Sequence, residues 1–387
     1  MNQPLVKKER ILSVDMLRGL VMVIMALDHM RDYTTVYHFS PSDITQTTIP
    51  IFFTRWVTHF CAPVFMFVAG VGSGLGEING KTKQQLSHFL WTRGLWLVLL
   101  ELTVVKLGWT FNFTDKTIYF LVIWALGMSM ITLAVLIYVP RKWLLIFGLT
   151  MVFGHNLLDN VNPESFGPWS FLWKMLHVES MFYMGSYQVF ALYPVIPWIG
   201  VMTLGYVFAD FYHIETKKRQ QKMLFLGLMV TLLFFVIRGI NIYGDMNPWS
   251  VQSTIGMTIV SFFNVTKYPP SLSYLLMTLG PSIAMLAIFE RIHGKVADFL
   301  VVFGRVPMFF YIVHLYLIHS VAVILGIYQG YSMFDMLYDW EQFPSGYGFG
   351  LVVSYLLWIL LIMITYYLCK SYIIFKRGKT HPFYSYI

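Results

Sequence analysis

The 387-residue chain is 57% hydrophobic and 18% aromatic, and only 12% of its residues are charged, against roughly 25% in soluble domains. That composition excludes an ordinary soluble domain and reads as a polytopic membrane protein. The net charge of +8 then reports membrane topology rather than nucleic-acid binding, and Cys61 and Cys369, in separate apolar runs, offer neither a disulfide framework nor a zinc spacing.

Apolar stretches able to cover about 30 Å of hydrocarbon fall near 12–30, 54–76, 88–108, 118–138, 142–158, 188–208, 223–241, 271–290, 299–326 and 348–369. They predict an all-α bundle of about ten transmembrane helices, forming one domain over 1–387. The first stretch carries Asp15 and Arg18 and no small-residue cleavage site follows it, so it is expected to be a span rather than a signal peptide. With the N-terminus in the cytoplasm, inner segments collect Lys7, Lys8 and Arg10, then Lys217, Lys218, Arg219 and Lys222, then Lys370, Lys376, Arg377 and Lys379. Outer segments hold Arg31, Lys116, Lys174 and Lys267. The positive-inside rule therefore places both termini in the cytoplasm. Segment 251–266 is apolar too, but if it spanned, the basic tail would face outward. It is expected as an outer-face or re-entrant helix. The outer loop 159–187, with Asp159, Glu164, Glu179 and aromatics from Trp169 to Phe182, is expected either to cover a site or to form an interfacial belt.

The first stretch reads LRGLVMVIMALDHMRD over 17–32. Eleven residues at 100° each bring Arg18 and His29 back to one helix face, roughly 16 Å apart along the axis. Ionisable residues at membrane depth face the bundle interior or a water-filled cavity, so the pair predicts a polar track. The competing role is interfacial: Arg18 snorkelling to headgroups, and His29, beside Asp28, Arg31 and Asp32, at the opposite surface. In the second stretch Arg55 and His59 are four apart, hence on one face, and a bend is expected at Pro63. Gly70, Gly72, Gly74 and Gly76 follow, which suits close helix packing. The third carries Arg93 and Glu101. Glu101 lies in LWLVLLELTVV and needs a partner, Lys106 or a neighbouring arginine. The ninth carries Arg305, with Tyr311 and His314 three apart on one face. A buried neutral His314 could also simply bond a backbone carbonyl.

The chain has no GxxxxGK[ST], GxSxG or HExxH. Cys61 is two residues from His59, so those side chains point to different helix faces. What remains is histidine base chemistry without a covalent nucleophile, and no metal site.

SVDMLRGLVMVIMALDH at 13–29 and FCAPVFMFVAG at 60–70 resemble the heparan-alpha-glucosaminide N-acetyltransferase catalytic-domain family, within the transmembrane acyltransferase superfamily. The Arg18-x10-His29 spacing is similar to the Arg-x10-His signature of acyltransferase-3-type membrane enzymes. GRVPMFFYIVH at 304–314 resembles the family's late helix, and KYPPSLSYLLMTLGP at 267–281 its uncharacterised bacterial branch. The resemblance implies an acetyl-CoA donor from the cytosol, entering a pore through the bundle. It implies a small-molecule or glycan acceptor on the far side, a bacterial plasma (inner) membrane location with lipid as surrounding partner, and a possible homodimer. In the heparan enzyme the position matching His29 is an asparagine and the catalytic histidine lies beyond the first span; His38 is the nearest counterpart here. His59 stands where that enzyme has an aspartate. The base is therefore His29 or His38. Arg18, Arg93 and Arg305 are the expected donor-binding residues, with arginine forks suited to phosphate oxygens. Asp28, Arg55, His59, Tyr311 and His314 are expected to line the pore, with Asp28 or Asp32 orienting the base.

The reading that follows is a transmembrane acyltransferase acting on a sugar or glycan amine or hydroxyl. Its rival is a secondary transporter or exporter of a polar solute using the same Arg/His track. No inverted repeat, a mark of many transporters, is evident in the sequence.

Overall fold

A computed structural model describes residues 11–379; Lys7, Lys8 and Arg10 lie outside them. The chain opens with α1 (Leu12–Thr34), then α2 (Ile49–Thr58) and α3 (Cys61–Ile78). α4 (Lys83–Leu100) runs through a π-helical turn, Glu101–Val105, into α5 (Lys106–Thr110). After β1 (Thr117–Phe120) come α6 (Val122–Leu136), α7 (Arg141–Gly154) and α8 (Ser170–His177). β2 (Ser180–Met184) and β3 (Tyr187–Ala191) precede α9 (Val195–Phe208), α10 (Thr216–Ile240), α11 (Ile255–Phe263) and α12 (Leu272–Phe289). The chain ends in α13 (Lys295–Arg305), α14 (Pro307–Tyr328) and α15 (Leu351–Lys376).

Among the described residues six helical stretches are long and apolar enough to cross a membrane: Ile49–Ile78, Val195–His213, Thr216–Ile240, Leu272–Phe289, Pro307–Tyr328 and Leu351–Lys376. The protein is an integral membrane protein. α1, at 23 residues, has the length to span but carries Asp15, Arg18, Asp28, Arg31 and Asp32, which lower its apolarity. Arg141–Leu158 and Pro163–His177 form a pair bent by 108°. α11 has nine residues, too few to span, in line with the non-spanning role expected for 251–266.

α1 is the hub. It packs against α13, α14, α15, α2, α3 and α12, and its Met16, Leu17, Met22, Ala26 and Met30 are fully enclosed. The α1–α13 crossing is tight because of two glycines. A Cβ at Gly19 would sit 1.9 Å from the Leu300 carbonyl oxygen, and one at Gly304 would sit 1.9 Å from that of Asp15. Gly70 and Gly74 likewise admit α9, as expected for helix packing, whereas Gly72 faces the Arg18 guanidinium.

Three departures from the expected bundle matter. First, the fold is mostly but not wholly helical: β3 pairs parallel with β1 and antiparallel with β2. All but the first residue of TIYF and of YQVFA fall inside the spans expected at 118–138 and 188–208, because short apolar runs do not distinguish a strand from a buried helix. Second, the ninth stretch is two helices, broken at Val306 before Pro307, where proline cannot supply the amide that would continue α13. Third, the second stretch breaks at His59–Phe60, before the expected bend at Pro63. The sheet lies toward the end of α1 that carries His29; the opposite end carries Arg18, Arg305 and the end of α15. They are called the sheet end and the basic end below.

Candidate active site

His29 meets His314 of α14, with Nδ1 2.9 Å from Nε2 and the rings stacked at 5.1 Å. The proton positions follow from the partners. His314 Nδ1 lies 2.9 Å from the Phe310 carbonyl oxygen, which can only accept, so in the neutral ring His314 Nδ1 carries the proton. His314 Nε2 is then an acceptor and His29 Nδ1 the donor. His29 Nε2 is left with its lone pair and, among the described residues, no hydrogen bond. The carbonyl bond expected for a buried His314 exists, and it is what sets the tautomer of His29.

Aromatic side chains wall this pair. Trp109 of α5 presents an edge contact to His29 at 4.8 Å, and the Tyr311 ring stands 6.5 Å from His29 and 5.5 Å from His314. Phe310 stacks on His314 at 5.0 Å. The Tyr311 hydroxyl and the Trp109 indole N–H are buried and approach each other, the indole N–H toward the phenol oxygen, with no other side-chain partner among the described residues. The Tyr311 O–H therefore remains as a donor close to an imidazole with a free lone pair, the Trp109 N–H backing its oxygen, and the ring contacts place both side chains against His29.

Asp28, the adjacent residue, belongs to a different network. Its carboxylate accepts from Arg31 Nη2 at 2.7 Å and from Arg55 Nη1, and Arg31 also reaches Asp32 at 2.6 Å. Neither carboxylate orients His29; His314 does. The reason is angular: neighbours on a helix lie 100° apart, so Asp28 faces α2 while His29 faces α14. Arg55, rather than extending to a surface, is the second cation on Asp28. His59 is 1% exposed, with an edge contact to Tyr274 and no partner for Nδ1. It packs against α12 and has no ring contact with the histidine pair.

His38 lies in the loop after α1, with Nε2 3.0 Å from the Tyr347 carbonyl oxygen, so it pins that loop to 344–349 and is not in contact with the His29 pair. Glu101 finds neither Lys106 nor an arginine. Its Oε2 accepts from the Trp124 amide at 2.9 Å, capping the start of α6, where backbone N–H groups lack helical partners. Lys106 bonds the Asp115 carbonyl.

At the basic end Arg18 Nη1 reaches the Gly304 carbonyl at 3.1 Å and Asp15 at 3.3 Å, with the side chain 20% exposed. Arg305 is exposed one residue beyond Gly304. Arg93 stacks over Phe89 of its own helix at 5.7 Å. Among the described residues no group of His, Cys, Asp and Glu could hold a metal ion, and both cysteines are free and buried. A cleft of about 510 Å³ on the outer face of α4, lined by Gln84, His88, Trp91 and Tyr138 among others, shares no residue with the histidine pair.

A helical membrane protein that pairs a half-buried histidine with a buried one and leaves one imidazole nitrogen free is the class that fold and site define. The sequence profile described as Heparan-alpha-glucosaminide N-acetyltransferase, catalytic, matches residues 10–243. That is more than half of the chain, and the protein belongs to this family of membrane acetyltransferases. A comparison with curated proteins finds no match. The matched segment runs from α1 through α10, so it contains His29, Trp109 and the Asp28 network, while His314 and Tyr311 come from outside it.

Proposed function

We propose that the protein transfers an acetyl or other short acyl group from acyl-CoA at the basic, cytosolic end to a sugar or glycan amine or hydroxyl at the sheet end. That end would face outward from a bacterial plasma membrane. The observation that carries this reading is the free Nε2 of His29 beside the buried Tyr311–Trp109 pair, whose tyrosine O–H is left to donate. Acyl-CoA supplies an activated thioester. The residues present suit it: a cation at the basic end, and a base with a tyrosine donor roughly 16 Å further along α1, a span comparable to a pantetheine arm.

In this scheme His29 Nε2 takes the acceptor's proton as the new bond to the acyl carbon forms. It returns that proton to the departing sulfur as the carbon–sulfur bond breaks. An imidazole suits both steps near neutral pH. His314 holds the ring in the required tautomer through the Phe310 carbonyl. Tyr311, its oxygen backed by the Trp109 N–H, donates to the carbonyl oxygen, where negative charge develops. Arg18 holds a donor phosphate.

The test is acetyl-CoA binding and acetyl transfer to an amino sugar by the detergent-purified protein. Wild type should bind and transfer. His29→Ala should bind normally and lose about 10²–10⁴-fold in rate, while Arg18→Ala should weaken binding. If His38→Ala, not His29→Ala, removes transfer, the base is His38. Absence of binding to any short acyl-CoA would defeat the proposal.

A further inference from the structure

The break between α13 and α14 creates a second feature at the basic end. A cavity of about 270 Å³ is lined by Arg305, Val306, Ile373, Lys376 and Arg377. Three of its five lining residues are cations and none is acidic. Among the described residues neither Arg305 nor Arg377 makes an ion pair or a side-chain hydrogen bond. Val306, on the same wall, is the N-cap of the 22-residue α14 and its side chain offers no capping bond; Pro307 has no N–H, so the first free amides of that helix are those of Met308 and Phe309, just beyond the lining residues. A helix N-terminus adds partial positive charge. The walls are fixed relative to each other: Phe309 of α14 stacks on Tyr372 of α15 at 4.1 Å, interplanar angle 2°, and Lys376 lies over the same Tyr372 ring at 5.9 Å.

We infer that this cavity is a seat for an organic phosphate. Cations held together at a membrane-facing surface repel one another, and an anion offsets that repulsion. Arginine forks and helix amides are both matched to phosphate oxygens. The volume is smaller than the roughly 300–1,000 Å³ of a whole-ligand site, so it takes a phosphate-bearing end rather than a complete cofactor. The same chemistry is carried by the phosphate end of coenzyme A and by an anionic lipid headgroup. The cavity adjoins the donor side of the track, because Gly304, which accepts from Arg18, immediately precedes Arg305. Assignment to the donor rests on the transferase reading; the phosphate seat itself does not. None of these residues lies within the segment matched by the family.

The experiment measures coenzyme A, its 3′-dephospho form and phosphatidylglycerol binding to full-length protein in zwitterionic nanodiscs. Wild type, Arg305→Ala, Arg377→Ala and the charge-keeping Arg305→Lys are compared. Loss of one charge-assisted bond should weaken phosphate binding about tenfold in each alanine variant, with a shallower salt dependence and partial recovery in Arg305→Lys. If coenzyme A binding falls while phosphatidylglycerol binding does not, the occupant is the donor; the reverse result assigns a lipid. Unchanged affinity for every probe in both folded alanine variants overturns the inference. Arg305-dependent coenzyme A binding by a protein that transfers no acetyl would keep the phosphate seat and defeat the transferase reading.

Discussion

Asp28 and His29 are neighbours in the chain and opposites in chemistry. Both oxygens of the Asp28 carboxylate are engaged, by Arg31 of its own helix and by Arg55, whose bond holds α1 against α2, and within this network only Arg31 Nη1 is left without a partner. The His29 ring is hydrogen-bonded on one side only, and the Tyr311 O–H near it, its oxygen backed by Trp109, has no acceptor among the described residues. The contrast teaches how one helix can serve as scaffold and as site. A satisfied buried network fixes position, and a half-satisfied one keeps its reactivity because its remaining partner is absent until something binds.

Breaking the satisfied side has the largest effect on folding. Asp28→Ala would leave Arg31, 2% exposed, and Arg55 without the anion that justifies their burial. Removing one partner of a buried ion pair costs about 3–5 kcal/mol. The expected result is a sharp fall in folded protein, read by size-exclusion fluorescence and thermal unfolding, whereas His29→Ala keeps wild-type abundance. Equal abundance of the two variants would erase the distinction between scaffold and site.

The half-satisfied side can be probed through His314, which acts on His29 rather than on substrate. His314→Leu removes the acceptor for His29 Nδ1–H, so the ring loses its fixed tautomer. A drop of about tenfold in kcat with little change in KM is expected, for general-base assistance worth about 10²–10⁴ in all. His314→Gln, whose amide oxygen can accept the same N–H, should recover part of the rate and of the wild-type pH profile. No difference between Leu and Gln would show that His314 merely fills space.

Much of the polar track was legible because helical geometry is local. The positions of Arg18, Asp28 and His29 follow from counting along one helix, and Tyr311 and His314 from their spacing on another. That His29 and His314 meet depends on α1 and α14 packing together across 285 residues of chain, which no periodicity records. Trp109 went unread because it follows the π-helical turn Glu101–Val105, where the helix phase slips and a face can no longer be counted forward. Glu101 is expected to seek a cation and instead caps α6 through Oε2 alone, leaving Oε1 buried without a partner, because a helix N-terminus offers the carboxyl group donors that no sequence spacing records. The strands were hidden for the reason that spans were visible: Ile118, Tyr119, Phe120, Val189 and Phe190 are apolar whichever structure they adopt.

The smallest expected effect lies outside the membrane segments, in the loop after α14. Burial, the neighbouring Glu341 carboxylate, Asp32 and Asp115 push the Asp339 carboxyl up to about 7, and burial with Glu341 does the same to Glu179. A raised carboxyl means that the folded loop prefers the proton. Its contribution is complete below the ordinary carboxylate range near pH 4 and is lost as pH rises through about 7. Amide exchange over 333–345 should therefore quicken between pH 5 and pH 8, after correction for intrinsic exchange. Asp339→Asn removes the titrating charge and should flatten that dependence while leaving the exchange of α1 unchanged. If Asp339→Asn loosens α1 as well, the acidic loop and the histidine helix form one cooperative unit, and the separation of scaffold from site along α1 would have to extend to the sheet end.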